Sequence, residues 1–459
     1  MCSSDSESKP AIALVGGTLI DGGGAAPLRD AAILIRGNKI VEVGSKNEIE
    51  YAAATRILDV TGKYILPGLI DIHVHCFDWM GELFLAHGVT TVKDLGNDFE
   101  WISTVSAEVE QGKVRAPRIF YVGNGLDASP PDRDTHVGLD SPEIARHAVE
   151  ILHSGGASAI KVREKITPEL LRVIIEEAHK FGMLVTGHIR RTNAREAAFA
   201  GIDGLEHLSG FVEAIGNCNR QEEPAKDARQ ILISDLKAYS AIDLAKAEEL
   251  INLLVDKRVA LVPTMPIWWR IASDWRDDFA REDAEYAKNA ALVYVPEDVR
   301  KQWASSLFYK LDNANDLAQI QSGYKKLRDL LVSHHRAGGK ILAGSDTFFS
   351  VPGLSLHREL MLLVDAGFSP LQAISFATHD NAEFLGKGAA LGTIVPGKLA
   401  DILVVSANPL DDIRNTQRVA LVIKDGQVVD TSYHANYSIP TPRPKLSRPL
   451  WLEKRVALN

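Results

Sequence analysis

The apolar positions along the chain fall into two textures. At the start, short apolar runs are broken by tight-turn residues: "AIALVGGTLIDGGG", then "AAILIRGNKIVEVGS", whose two runs meet at Gly37-Asn38, a hairpin signal. "TRILDVTGKYILPGLIDIHVH" follows. The same texture returns in "GTIVPGKLADILVVSANPL" and in "VALVIKDGQVVD", which turns at Asp425-Gly426. The β-rich stretches 11–66 and 391–432 are therefore expected to pair into one small sheet domain. Between them, strand-like runs alternate with amphipathic helical stretches, the pattern of βα units on a parallel sheet. The strand candidates are 68–75, 89–95, 118–125, 158–163, 184–189, 204–210, 260–265 and 341–346. Two of the helical stretches, "SPEIARHAVEILHS" and "TPELLRVIIEEAHKFG", open on a hydroxyl residue and a proline, which suit an N-cap and first turn. Together these elements predict an α/β fold, a (β/α)₈ (TIM) barrel over residues 67–390.

One connection is long: about 75 residues separate the seventh and eighth strand candidates, far beyond a usual loop plus helix. It opens on "PIWWRIASDW", so Trp268, Trp269 and Trp275 either form a lid over the barrel mouth or pack an extra helix onto the barrel. Residues 1–10 read as a flexible tail and 433–459 as a C-terminal extension. "MCSSDSESKP" sets Cys2 in a polar, Ser-rich tether. That is either a plain disordered terminus of a cytoplasmic chain, with Met1 its native start, or the anchor of a periplasmic lipoprotein whose signal is trimmed.

Composition narrows the function classes. Apolar residues make up 46% and charged residues 24%, so the chain folds as an ordinary globular protein. The net charge is −9 with no dense Lys/Arg run, which argues against nucleic acid or an anionic membrane as partner. No apolar run reaches the ~20 residues of a transmembrane helix. Cys2, Cys76 and Cys218 form no CxxC pair and no disulfide framework.

The chemistry begins with His73-Val74-His75. Strand alternation puts both imidazoles on one face, where they can meet one metal ion. With 14 histidines, about 0.4 such pairs arise by chance, so the pair alone decides nothing. What matters is the company it keeps. Lys161 in "AIKVR", His188 in "TGHI", His207 in "LEHL" and Asp346 in "AGSD" each fall at or near a strand's C-terminal end, the face where barrel active sites assemble. Four histidines and a carboxylate converging there form a hydrolytic metal centre.

In this order, "PGLIDIHVH", "GVTTVKDLG", "AIKV", "GH", "AGIDGLEH", "GSDT", "ATHDNAEFLG" and "GTIVPGKLADILVV" resemble the signatures of the amidohydrolase superfamily. The likeness runs from about residue 11 to 432 and is nearest to the prolidase-like and imidazolonepropionase-like branch. It implies a distorted barrel with a small β-sandwich built from both chain ends. It also implies two divalent metal ions of the zinc type. In that pattern His73, His75 and Asp346 hold one ion, His188 and His207 the other, and Lys161 bridges them as a carbamate formed with carbon dioxide. A carbamate needs a neutral amine, which burial favours; the alternative for Lys161 is a strand-end ion pair with a carboxylate. Asp346 is then the catalytic base that moves a proton from the attacking water to the leaving nitrogen. The implied reaction is hydrolysis of an amide, best a dipeptide or N-acyl amino acid. A cyclic amide or imidazolone is the second reading, and a lactonase or phosphotriesterase-like activity the third. A metal-free scaffold on the same fold is the non-enzyme alternative. A homo-oligomer is the expected assembly.

Further candidates surround this set. Asp71 shares the strand face of His73 and either orients that imidazole or makes backbone contacts. Tyr121, and His136 in "PPDRDTHVG", are substrate-contact candidates. Arg190, Arg191 and Arg270 are candidates to clamp a substrate carboxylate, each weighed against an ordinary ion pair. Trp268 would face an apolar substrate group. Cys76 adjoins the site but has no base beside it.

Overall fold

The computed structural model describes residues 11–131, 133, 135–215, 228–305, 316–347 and 350–444. Cys2, Cys218 and the side chains of Trp269 and Arg270 lie outside that description.

Both chain ends contribute to one sheet. Its path runs from Gln427–Val428 through Val419–Lys424, Ile402–Val405 and Tyr64–Pro67 to Ala11–Leu19, Leu28–Arg36 and Lys39–Ser45, antiparallel except at one step. Within that order, Ala11–Leu19 lies parallel to Tyr64–Pro67, and Arg56–Asp59 pairs with it as well. The two expected hairpins are present. Gly37 turns the first at φ 61°, and Asp425 and Gly426 turn the second at φ 49° and 73°. Ile33, Ile65, Ile402, Val404 and Ile423 supply a separate apolar core for this sheet.

The middle of the chain is the barrel. Leu69–Val74, Val89–Asp94 and Arg118–Tyr121 form one parallel sheet. Gly125–Ala128, Ala159–Val162, Leu184–Gly187, Gly204–Glu206 and Ala260–Val262 lie in another, with His136–Leu139 at its edge. Backbone bonds link the first sheet to the second on one side and to the eighth segment on the other. Ser158 N donates to Tyr121 O at 2.8 Å, and Ile72 N donates to Ala343 O at 3.2 Å. The eighth segment, expected as a strand over 341–346, makes one bridge, Leu261 to Ile341, and then departs from the ladder. Beyond it Ser345 N turns to the Asp71 carboxylate, and Asp346 N to His73 O at 2.8 Å with Asp346 at φ 45°. These side-chain and backbone bonds replace the ladder and aim Asp346 at His73.

Pro142–Ser154 and Pro168–Lys180 are capped as expected, by Ser141 and Thr167, with proline in the first turn. The long connection is helical: Pro266–Ala272, Arg276–Lys288, Glu297–Ala304 and Leu317–Arg336. Trp268 and Trp303 are 2% exposed and pack within the apolar core of this layer. Arg358 anchors the layer, its fully buried guanidinium donating to buried Asp283 at 2.8 Å and stacking 4.7 Å over Phe279. Among the described residues no helix is long and apolar enough to cross a membrane.

Candidate metal centre

Strand alternation turns His73 and His75 to the barrel mouth, and Asp346 meets both. Its Oδ1 lies 3.8 Å from His73 Nε2 and 3.6 Å from His75 Nε2, and its Oδ2 lies 3.7 Å from His207 Nε2. These separations are long for hydrogen bonds. They suit donors sharing one ion: two bonds of about 2.0–2.1 Å at a tetrahedral angle place their atoms about 3.4 Å apart. His73, His207 and Asp346 each offer a ligand atom within 4.8 Å of the others.

The remaining ring nitrogens show why the Nε2 atoms face inward. His73 Nδ1 is 2.7 Å from Glu206 Oε2, and His207 Nδ1 is 2.5 Å from Thr264 Oγ1. A proton on Nδ1, held by these oxygens, leaves Nε2 with its lone pair toward Asp346. Burial, with positive neighbours, pushes His75 and His207 well below the ordinary imidazole range, so both rings stay neutral and able to ligate. The donor set therefore fits a divalent metal.

Glu206 was not singled out by the sequence. It is 1% exposed, and its Oε1 lies 3.4 Å from Lys161 Nζ. Burial opposes its charge, but Lys161 and His73 hold the carboxyl well below the usual range. Lys161 is buried at the end of Ala159–Val162, and burial pushes its pKa down to about 8 despite Glu206. Without a further group, Lys161 is thus a strand-end ion pair. Its depressed pKa also makes a neutral amine accessible near pH 8.

The structure sets His188 apart from that cluster. Its ring lies 4.6 Å from that of His207, but its Nδ1 faces Arg163 Nη1 at 3.3 Å and its Nε2 faces Glu164 Oε1 at 3.4 Å. An arginine only donates, so Nδ1 accepts here and Nε2 carries the proton. A metal bound through Nε2 has to displace that proton and the Arg163 contact. Arg163, buried two residues beyond Lys161 on the same strand face, is a second group the sequence reading passed over.

Asp71 does not orient His73. Its carboxylate accepts from Ser345 N at 3.0 Å, Ser345 Oγ at 2.5 Å and His73 N at 3.3 Å, and burial raises its pKa to about 7. It braces the eighth segment, and Glu206 has the role considered for Asp71. Cys76 is a free, buried thiol whose pKa burial and Asp94 push well up, so it is no nucleophile.

A cavity of about 170 Å³ opens beside His188, His207 and Asp346, with Leu208, Ile267 and Trp268 among its walls. Among the described residues, buried Trp268 Nε1 has no hydrogen-bond partner. Arg190 also lines this space, but Glu164 and Asp235 already hold it at 2.9 and 3.2 Å, so the ion-pair reading prevails over the carboxylate clamp. Arg133, in the loop before the His136–Leu139 strand, lines the same cavity. His136 itself is buried over Gly125, beside the Arg163 stem, and does not line the cavity. Nor does Arg191, which is exposed, or Tyr121, whose hydroxyl donates to Gly155 O at 3.1 Å.

Barrel, two-ended sheet and a His/His/Asp cluster at the strand ends define a class of metal-type hydrolases. The profile of the amidohydrolase family matches residues 64–429, and the chain belongs to that family. It is 24% identical over 480 aligned residues to ochratoxinase of Aspergillus niger, covering 90% of this chain and 84% of that protein. A crystal structure from Bifidobacterium longum, provisionally called a prolidase, is 26% identical with TM-score 0.66, covering 98% of this chain and 99% of its own. A Xaa-Pro dipeptidase with bound methionine in the active site shares the fold at TM-score 0.63 and 22% identity, covering 92% of this chain and 100% of its own.

Proposed function

We propose that this protein is a metal-dependent hydrolase that cleaves the C–N bond of an amide, a dipeptide or an N-acyl amino acid. The observation that carries this is the approach of three imidazole Nε2 atoms to one carboxylate, 3.6–3.8 Å away, beside a largely apolar cavity. Names among the similar proteins, a prolidase and a Xaa-Pro dipeptidase, support the choice of an amide. His73, His75 and Asp346 would hold one divalent ion, zinc by donor type. His188 and His207 would hold a second, with Lys161 carboxylated between them. Such ions supply Lewis-acid polarisation of the carbonyl and a water made acidic enough to react near neutral pH.

The chain's own residues do the rest. Asp346 accepts the proton of the attacking water and returns it to the leaving nitrogen. Glu206 and Thr264 keep the His73 and His207 rings turned to the site. Leu208, Ile267 and Trp268 take an apolar substrate group and exclude water. Arg133 lines the same cavity and is a candidate contact for a polar substrate group.

The test is elemental analysis of protein purified with bicarbonate and without chelators, beside Lys161→Ala, with a panel of dipeptides and N-acyl amino acids. Hydrolysis that disappears on metal removal and returns with zinc is the expected result. About two metals per chain, falling sharply in the variant, supports the carbamate. One metal, unchanged in Lys161→Ala, removes the second ion and the carbamate. Hydrolysis untouched by metal removal refutes the mechanism.

A further inference from the structure

Over its described residues, 433–444, the C-terminal extension follows the last sheet strand without forming a helix or strand, and the family match ends before it, at residue 429. It is nevertheless tied to the barrel along its described length. His434 N donates to buried Glu82 Oε2 at 2.8 Å. Tyr437 OH donates to Arg115 O at 3.1 Å, and Ile439 lies in the crevice lined by Met80, Phe84 and Trp101. Trp101 Nε1 donates to Thr441 O at 3.0 Å, and Thr441 Oγ1 donates to Glu108 Oε1 at 2.8 Å.

The strap ends at the loops that follow the first two barrel strands. Arg443 N donates to Asp78 Oδ2 at 3.1 Å, and Arg443 Nε donates to Asn97 Oδ1 at 2.8 Å. The guanidinium stacks 4.2 Å over Phe77 and 5.8 Å from Trp101. Asn97 is fully buried and passes the contact inward. Its Nδ2 donates to Cys76 O at 3.1 Å and to Asp94 Oδ2 at 2.6 Å, and that same Asp94 oxygen accepts from Cys76 N at 2.7 Å. Both backbone groups of Cys76, the residue after His75, are thereby clamped. His75 is thus held through the backbone of the residue that follows it, and Arg443 is the outer pin of that hold.

We propose that Arg443 is a positioning residue for His75, which makes the C-terminal extension a working part of the metal centre. The inference rests on the proposed function, because its readout is metal binding. A side chain that presents a ligand within a few tenths of an ångström needs its supporting bonds fixed, and removal of such support typically costs 10–100-fold in metal affinity. Arg443→Ala is compared with Arg443→Lys and with Thr441→Val, which cuts a strap bond without touching either loop. The measurements are Zn²⁺ affinity by chelator competition, the visible spectrum of the Co²⁺-loaded protein, and the melting temperature of the metal-free protein.

Arg443→Ala is expected to weaken Zn²⁺ binding roughly tenfold and to change the Co²⁺ spectrum, while its metal-free melting temperature stays close to that of Thr441→Val. Thr441→Val should bind zinc as wild type does. Arg443→Lys keeps the charge and one donor toward Asn97, so it should recover part of the affinity. Wild-type affinity and spectrum in Arg443→Ala overturn the inference alone, as does an equal loss in Thr441→Val. If Arg443→Ala does not fold, wild-type affinity in Arg443→Lys together with an unchanged Co²⁺ spectrum overturns it. A wild-type protein that takes up no metal overturns both the inference and the function beneath it.

Discussion

Glu206→Gln isolates the carboxylate beneath the site. Glutamine keeps the length and one acceptor oxygen, so His73 can still donate to it, but the charge is gone. A hydrogen bond to a charged acceptor contributes about 1.5–3 kcal/mol and one between neutral groups about 0.5–1.5, a difference of about 1–1.5 kcal/mol at the 2.7 Å contact. That energy tunes the basicity of His73 Nε2 and the fixity of its ring, so metal affinity should fall about 5–13-fold. The same change strips buried Lys161 of the carboxylate 3.4 Å away. Breaking a buried pair costs up to about 3–5 kcal/mol, and Lys161 limits the loss by releasing its proton, since its pKa already stands at about 8. Metal-stripped protein would be titrated with zinc against a chromogenic chelator, and its stability read by urea unfolding. An affinity within twofold of wild type would refute the role assigned to Glu206, whatever the stability shows.

Thr264→Val removes the hydroxyl at His207 Nδ1 while conserving shape, and should weaken zinc binding several-fold with unchanged His73 behaviour; equal affinity would show that the contact does not hold the ring. Trp268→Phe removes a buried donor that has no partner among the described residues, so folding stability should change by less than about 1 kcal/mol while KM rises for accepted substrates. A stability loss with unaltered KM would place Trp268 in packing alone. His87 and His357 set an acid limit away from the site: burial holds them neutral, with pKa values of about 4 and about 3. The unfolded chain takes up these protons below about 6.5, so stability falls as pH drops toward 4, by about 2 kcal/mol per histidine between pH 7 and 5. Urea unfolding at both pH values checks this, and His357→Asn should flatten the slope; an equal slope refutes it.

Why some of this was legible in the chain and some was not follows from where regular geometry stops. His73 and His75 obey strand alternation, so their shared face could be read directly. The same rule reaches from Lys161 to Arg163, whose buried guanidinium was available to the reading but carried no ligand-type signal. Glu206 and His207 break the rule. Adjacent residues of a strand point to opposite faces, yet both serve the same site, because His207 leaves the strand at φ 60° and Leu208 follows at 52°. Nothing in "GLEHLSG" announces left-handed backbone at residues other than glycine, so Glu206 stayed hidden beside a histidine that was found. Asp71 shows the converse. It does lie on the expected face, but Ser345 stands within reach and the ring of His73 already has a partner, so alternation identified the face and not the contact.

The strap at residues 433–443 marks the outer edge of pattern reading. It has neither the period of a helix nor that of a strand, and its "SIPTPRP" run lacks backbone donors at its prolines. Its place is decided by side chains reaching outward one at a time, to Glu82, Trp101, Asn97 and Asp78, each separated from it by more than 300 residues. Such contacts leave no periodic trace, because each is satisfied by a single residue. The physical consequence is specific. A segment that buries little of its own backbone gains its position from the barrel, and in return it stiffens the two loops it touches. One of those loops follows His75. On the proposed reading, stability of the extension and geometry of His75 are one problem in this chain, and substitutions far out in sequence are expected to be felt at the proposed metal site before they are felt by the fold.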